Sequence, residues 1–451
     1  VYPHGQVGLH GKALLAGLKA VNLTESQYGL ASIKFRWNVS GTYMQAIPRI
    51  FSTAADGHSE PREFLCDYFP DMPTLAGNIF LKGYQWPFDA QRIVDFQSSL
   101  IDLAVYEETV LRGRRVFMDF RSNPLPANGF DAFSLESLPD EARLYLEATG
   151  ALQETPIQRL RHMNPPAIEI YAEHHIDLTS EPLEIAVCAQ HLNGGFAVDK
   201  WWQSNIPNVF VIGEMAGTHG VKRPGGSALN AGQTGALRAA AYIANTSSWQ
   251  VPSLNIEPVL EEQLTEQLLV LTKQWTSPHP GALVPGELLS KIRERMTRCA
   301  AQIRNATDIG STLREALADV TAYRNSGWKL NGPEELAEAL QVESMLYTHL
   351  AMIVAIDDYI ARGGGSRGSY IILDDEGIPL PEQVGEIRAQ LSPFWRPENP
   401  ELRKVVQVLC YDPANEYLFA VQTTPVRPIP NLQSVFETTW AQYRTGEIYR
   451  M

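Results

Sequence analysis

"HLNGGFAVDKWWQSNIPNVFVIGEMAGTHGVKRPGGSALNAGQTGALRAA", from His191 to Ala240, concentrates the chemistry of this chain. A histidine precedes one glycine pair, an apolar run closes on Gly213-Glu214, and His219 and Arg223 precede a second glycine pair. "NVFVIGE" is short, apolar and bounded by Asn and Gly, which predicts a buried strand of a parallel sheet. "SALNAGQTGALRAAAYIA" has small residues at helical spacing and predicts a helix that approaches a sheet or ligand closely. Strand, glycine-rich turn and helix follow in that order. This puts Glu214 at the carboxyl end of a strand, where open α/β sheets bind their cofactors. The glycines of "RPGGSALN" lie just ahead of a helix N-terminus, whose free N–H groups and positive dipole suit an electron-rich ligand edge. Taken singly, a buried histidine or a surface arginine is commonly structural. The ordered set is what carries specificity.

The bulk numbers narrow the classes. At 451 residues, 44% hydrophobic and 20% charged, the chain has the composition of a globular protein of two or three domains. A formal net charge of −14 argues against a nucleic-acid partner. Cys66, Cys188, Cys299 and Cys410 are widely spaced with no C-x-x-C pair, so no iron–sulfur cluster or zinc is expected on this chain alone, and the thiols are expected free. No run of eighteen apolar residues occurs, which predicts no membrane span. "VYPHGQVGLHGKALLAGLKA" lacks the basic start and cleavage site of a signal peptide, which predicts a cytoplasmic location.

Outward from the opening segment, "GKALLAGLKA" predicts a helix, and Asn22 to Asp56 shows no clear period. Asp56 to Pro87, rich in Pro, Gly and aromatic residues, predicts a loop-built lobe. Arg92 to Arg112 reads as helix, "RRVFMDF" as strand, and "PDEARLYLEATGA" as helix. "AIEIYAEHHIDL" and "LEIAVCAQHLNGG" read as two strands. Four helical blocks follow: Glu257 to Gln274, Gly286 to Ile303, Ile309 to Ser326 and Pro333 to Ala361. "KVVQVLCY" and "EYLFAVQT" predict late strands.

The ordered set resembles the second flavin-binding half of the succinate dehydrogenase, fumarate reductase and L-aspartate oxidase flavoproteins. That family carries a histidine before a Gly pair, an apolar strand ending in Gly-Glu, then "HG-x-N-R-x-GG-N-S-L"; here the last piece reads "HGVKRPGGSAL". "RIVDFQSSLIDLAVYEE" before "RRVFMDF" resembles the family's "RD-x-x-S-x-x-I" helix and strand, and "YIARGGGSRGSY" its "ESRGAHYR". The resemblance implies an α/β fold: a split FAD-binding domain with an inserted α+β capping domain and a C-terminal helical domain. Its divisions are 1–57 and 183–250 for the FAD domain, 58–182 for the cap, 251–370 for the helical domain and 371–451 for a small α+β segment.

Carried over, His191 and Arg223 clamp a substrate carboxylate, with His219 beside them, and Arg92 shuttles the proton. Glu214 binds the FAD ribityl chain, and Gly194, Gly225, Gly226, Ser227, Ala228 and Leu229 line the flavin. No metal is implied. The partners implied are a small, anionic substrate and an iron–sulfur electron-transfer subunit.

Two departures stand against the pattern. No strand followed by G-x-G-x-x-G is present, since Gly5, Gly8 and Gly11 have the wrong spacing; the pyrophosphate half of the FAD site is therefore expected upstream of Val1 or on a second chain. The family's "Q-F-H-P-T" also finds no match, the nearest text being "CDYFPDM" with Tyr68. The expectation is an FAD-dependent oxidoreductase moving a hydride between flavin N5 and a carbon beside an acid or carbonyl. The alternatives are a flavin-free scaffold protein, and a related flavoenzyme acting on a sulfur oxyanion or a cyclic enone.

Overall fold

The computed structural model describes residues 8–246, 258–428 and 436–449. Gly5 and the start of the Glu257 helical block lie outside them. Three four-stranded sheets form. The first runs Ser26–Ser32, Leu183–Leu192, Arg115–Asp119, Arg49–Thr53, antiparallel throughout. A second joins the late hairpin Phe419–Pro425 and Val405–Tyr411 to Ala20–Val21 and Gly195–Phe196. The third is Ile303–Asn305, Ile371–Asp374, Phe394–Trp395 and Ile378–Pro379, with its only parallel pairing between the first two.

Two apolar cores result. One gathers Leu30, Phe64, Phe80, Phe120 and Ile185 under the first sheet, with Leu373 and Ile387 from the late segment. The other surrounds the Leu336–Ala361 helix, packing Leu346, Leu350 and Ile353 against Leu14, Trp328 and Phe419. By length and composition one helix, within Pro333–Ala361, could cross a membrane; it is the centre of this second core.

Several expectations hold. Helices form at Asp140–Thr149, Ser227–Asn245, Pro258–Thr276, Pro285–Cys299, Ala306–Ser326 and Leu336–Ala361. The "RRVFMDF", "LEIAVCAQH", "KVVQVLCY" and "LFAVQT" strands are also present.

Others are corrected. "NVFVIGE" makes no parallel strand: Phe210 forms one antiparallel bridge to Gln203, Ile212 is 46% exposed, and Gly213–Met215 is a 3₁₀ turn. Among the described residues no strand runs beside it to take a full ladder. The Val211 N–H donates instead to the Trp202 carbonyl at 2.9 Å, so the run folds back on the turn before it. Thus the fold among the described residues mixes α and β with mainly antiparallel sheets, rather than carrying the expected parallel flavin sheet. "AIEIYAEHHIDL" is a helix, Pro166–Glu173; the Pro starts its first turn, and Ala167 and Tyr171, four apart, bury one face. Arg92 to Arg112 is broken, because Asp95 and Phe96 take φ of 52° and 55°; only Leu100–Tyr106 is α-helical, continued by a π turn at Glu107–Leu111. The Asp56–Pro87 lobe is not all loop. Asp71 caps a helix, Met72–Leu81, by accepting from the Thr74 N–H.

Candidate functional site

A cleft of about 570 Å³ opens between the first sheet and the glycine-rich loop. Its walls include Gln27, Trp86, Phe88, Asp89, Arg92 and Gln190 on one side and Val221 to Gly226 on the other. Thus Arg92 and Arg223, far apart in sequence, meet in one cavity.

The position of Arg223 follows from its neighbours. Its Nε and Nη2 both donate to the Gln27 Oε1, at 3.0 and 2.6 Å, and Gln27 Nε2 donates back to the Arg223 carbonyl at 3.0 Å. Further contacts go to the Pro224 carbonyl and to Gln190 Oε1, at 3.3 and 3.5 Å. All of these acceptors are neutral, and among the described residues no carboxylate forms an ion pair with this guanidinium. Burial pulls its pKa below the ordinary arginine value, against the pull of Glu214. The guanidinium is oriented but not neutralised, which leaves it able to take an anion.

Lys222, by contrast, is committed: Nζ donates to both Asp89 carboxylate oxygens, at 2.8 and 3.0 Å. Arg92 Nε stands 4.0 Å from the same carboxylate with its side chain 37% exposed.

His191 ends the Leu183–Leu192 strand opposite Gln27, at a register irregularity between Gln27 and Tyr28. Its Nδ1 is 2.9 Å from Asn193 Oδ1, and Asn193 Nδ2 donates to the Val221 carbonyl at 3.1 Å. That pairing makes Oδ1 the acceptor, so Nδ1 carries the proton and Nε2 is the free lone pair. Nε2 lies 3.4 Å from Glu214 Oε1 without a hydrogen bond, and the His219 ring stands edge-on at 4.7 Å with neither nitrogen bonded. Burial, chiefly, lowers the His191 pKa to about 4; it lowers that of His219 too, helped by His191 and Arg223. Both rings are neutral near pH 7. His191 thus offers a neutral nitrogen, because burial disfavours its charged form.

Gly194 and Gly195 serve backbone crossing. A Cβ on Gly194 would fall 2.0 Å from the Asn22 carbonyl oxygen, and one on Gly195 2.4 Å from that of Met215. Gly225 and Gly226 differ, since a Cβ there would meet nothing within 4 Å. Gly226, at φ 77°, caps the Ser227–Asn245 helix; Ala228 is buried, and Leu229 is 73% exposed.

This arrangement fits one end of a flavin. The open Gly225-Gly226 approach, the first-turn N–H groups of a long helix and the orphan ring nitrogens of His191 and His219 suit a planar ring with acceptor atoms on its edge. Among the described residues no G-x-G-x-x-G turn supplies the pyrophosphate half, and no group of acidic, His and Cys residues could hold a metal.

"CDYFPDM" does not reach the cleft: the buried Tyr68 hydroxyl donates to Glu107. Gln27 is the cleft residue that the sequence pattern does not single out. The Gln-aromatic start of "Q-F-H-P-T" does recur at Gln27-Tyr28, with Gly29 where the motif has histidine, but it stands in a stretch without clear period.

No family model matches the chain. A fumarate reductase (CoM/CoB) subunit of Methanothermobacter marburgensis is 32% identical over 238 residues, which are 50% of this chain and 39% of that protein. In sequence the chain is similar to the succinate dehydrogenase, fumarate reductase and L-aspartate oxidase flavoproteins. L-aspartate oxidase of Streptomyces coelicolor, at 28% identity over 156 residues, covers 33% of this chain and 24% of that enzyme. In fold, Mycobacterium smegmatis Sdh1 in complex with UQ1 superposes over 94% of this chain and 58% of its own, with TM-score 0.56 and 15% identity. Adenylylsulfate reductase of Archaeoglobus fulgidus does so over 93% and 62%, with TM-score 0.51 and 14% identity. The chain therefore spans less than two thirds of the flavoproteins it matches.

Proposed function

We propose that this protein is the substrate and flavin-ring portion of an FAD-dependent oxidoreductase, acting on a carbon activated by an adjacent carboxylate or carbonyl. The observation that carries the reading is Arg223: a guanidinium oriented by neutral acceptors, facing a cleft bounded by the glycine pair at a helix N-terminus. FAD, when bound, supplies hydride transfer at its N5. Arg223 binds the substrate carboxylate and draws electron density from the adjacent C–C bond. Arg92, at the rim beside Asp89, moves the proton at the neighbouring carbon. His191, held by Asn193, fixes substrate orientation through its neutral Nε2, with His219 against its face. The Ser227–Asn245 N-terminus with Gly225 and Gly226 holds the ring edge, and Glu214 a polyol hydroxyl.

The four cysteines are free, so electrons in this reading arrive from a separate iron–sulfur protein. The test is Arg223→Ala, assayed by dye-driven reduction of enoates. We expect bound flavin to persist and turnover to fall on the order of 100-fold, as for a lost charged contact. A fully active variant would remove the clamp.

A further inference from the structure

Lys222 and Asp89 meet across the cleft from two fixed stretches of backbone. The Val221 carbonyl accepts from Asn193 Nδ2 at 3.1 Å and the Arg223 carbonyl from Gln27 Nε2 at 3.0 Å, which pins the chain on either side of Lys222. Opposite, the Asp89 N–H donates to Ser99 Oγ at 2.9 Å and the Ala90 N–H to the Gly368 carbonyl at 3.0 Å. The Lys222 ammonium is half exposed, but the carboxylate it meets is only 14% exposed. A carboxylate in that setting demands a partner.

Two cations stand near that one carboxylate, and they are not equally placed. Lys222 Nζ donates to both oxygens and to Gln91 Oε1 at 3.2 Å, while the Gln91 N–H adds a bond to Oδ1 at 3.1 Å. Arg92 closes the short turn that Asp89 caps, yet its Nε stays 4.0 Å from Oδ2. Among the described residues its guanidinium makes no hydrogen bond. Its backbone is held, since its N–H donates to the Asp89 carbonyl at 2.8 Å and its carbonyl accepts from the Ser99 N–H at 3.1 Å. Only the side chain is free to turn. An arginine bonded to a carboxylate is fixed in place and in its charged form. By occupying Asp89, Lys222 spares Arg92 both restraints.

We propose that Lys222 is a positioning residue for Arg92: it satisfies Asp89 and so keeps the arginine side chain free at the cleft. Without it, Asp89 draws the guanidinium onto itself and away from the reacting end. This rests on the reading of Arg92 as the group that moves the proton.

The test compares wild type, Lys222→Ala, Lys222→Arg and the double variant Lys222→Ala with Asp89→Asn. Two quantities are measured: the rate at which phenylglyoxal modifies Arg92, followed by peptide mass, and the kinetics of dye-driven enoate reduction. In Lys222→Ala the labelling of Arg92 is expected to slow roughly three- to tenfold, the scale of one ion pair gained. The kcat falls by a similar factor with KM little changed, because Arg223 still holds the substrate. Lys222→Arg keeps both quantities. The double variant restores both, since Asn still caps the turn but no longer attracts Arg92; a merely structural lysine would not be rescued by a second loss. Unchanged labelling or unchanged kcat in Lys222→Ala, or no recovery in the double variant, would overturn the proposal. Labelling needs neither flavin nor turnover, so a protein that follows the labelling pattern but reduces no enoate loses the redox reading and keeps the pairing.

Discussion

Arg223 and His191 illustrate how the same burial acts on two side chains with different consequences. Arg223 stays charged because its pKa starts far above neutrality; His191 loses its charge because its pKa starts near it. This fixes a sign for stability against pH. A histidine whose folded pKa lies below its unfolded value favours the native state fully above about 6.5, and that contribution disappears as pH falls through its folded pKa. His191, at about 4, and His349 on the Leu336–Ala361 helix, at about 3, both act in this direction. Urea midpoints should therefore fall as pH drops from about 6.5 to about 4, and His191→Gln should flatten part of that slope. An unchanged slope would mean that His191 is charged in the fold. His191, His219 and Arg223 were legible in the sequence. The protonation state was not, because it depends on Asn193 and on burial that only the fold creates.

At the scale of elements, Lys82 and Asp102 tie the Met72–Leu81 helix to the Leu100–Tyr106 helix and hold the Trp86 turn between them. Desolvation pushes the Lys82 pKa down and that of Asp102 up to about 6, while their attraction opposes both shifts; the pair remains ionic near neutrality because each ion has the other within 2.7 Å. Asp102→Ala would strand a buried ammonium and should cost about 3–5 kcal/mol in urea unfolding. A loss under about 1 kcal/mol, the scale of an exposed pair, would show Lys82 reaching water instead. Gly29→Ala should disorder the indole and cost about 1–3 kcal/mol, as overpacking does.

The sequence revealed the helices best, since their 3.6-residue period survives in any tertiary setting. It misled at Pro166–Glu173, where a run of alternating Ile and Glu imitates a strand while the preceding prolines start a helix. It misled again at "NVFVIGE", whose apolar run is a strand only when a neighbour pairs with it.

For the whole molecule, the face carrying the flavin motifs is unusually open. Leu229 and Leu237 on the Ser227–Asn245 helix are 73% and 70% exposed, and Ile212 and Met215 beside it are 46% and 47%. Such a row on one face marks a contact surface. The protein is therefore expected to bind a hydrophobic reporter dye at this face. The two cores were not separable in the sequence, because Leu373 and Ile387 return from the C-terminal segment to the first core.

The most direct test of the flavin assignment is the visible absorption spectrum of the protein purified from its natural source, before and after acid precipitation. A flavin spectrum is expected, and Arg223→Ala should leave it in place while lowering enoate reduction on the order of 100-fold. A colourless protein, with no flavin in supernatant or pellet, would refute the assignment and make the cleft part of a flavin-free scaffold.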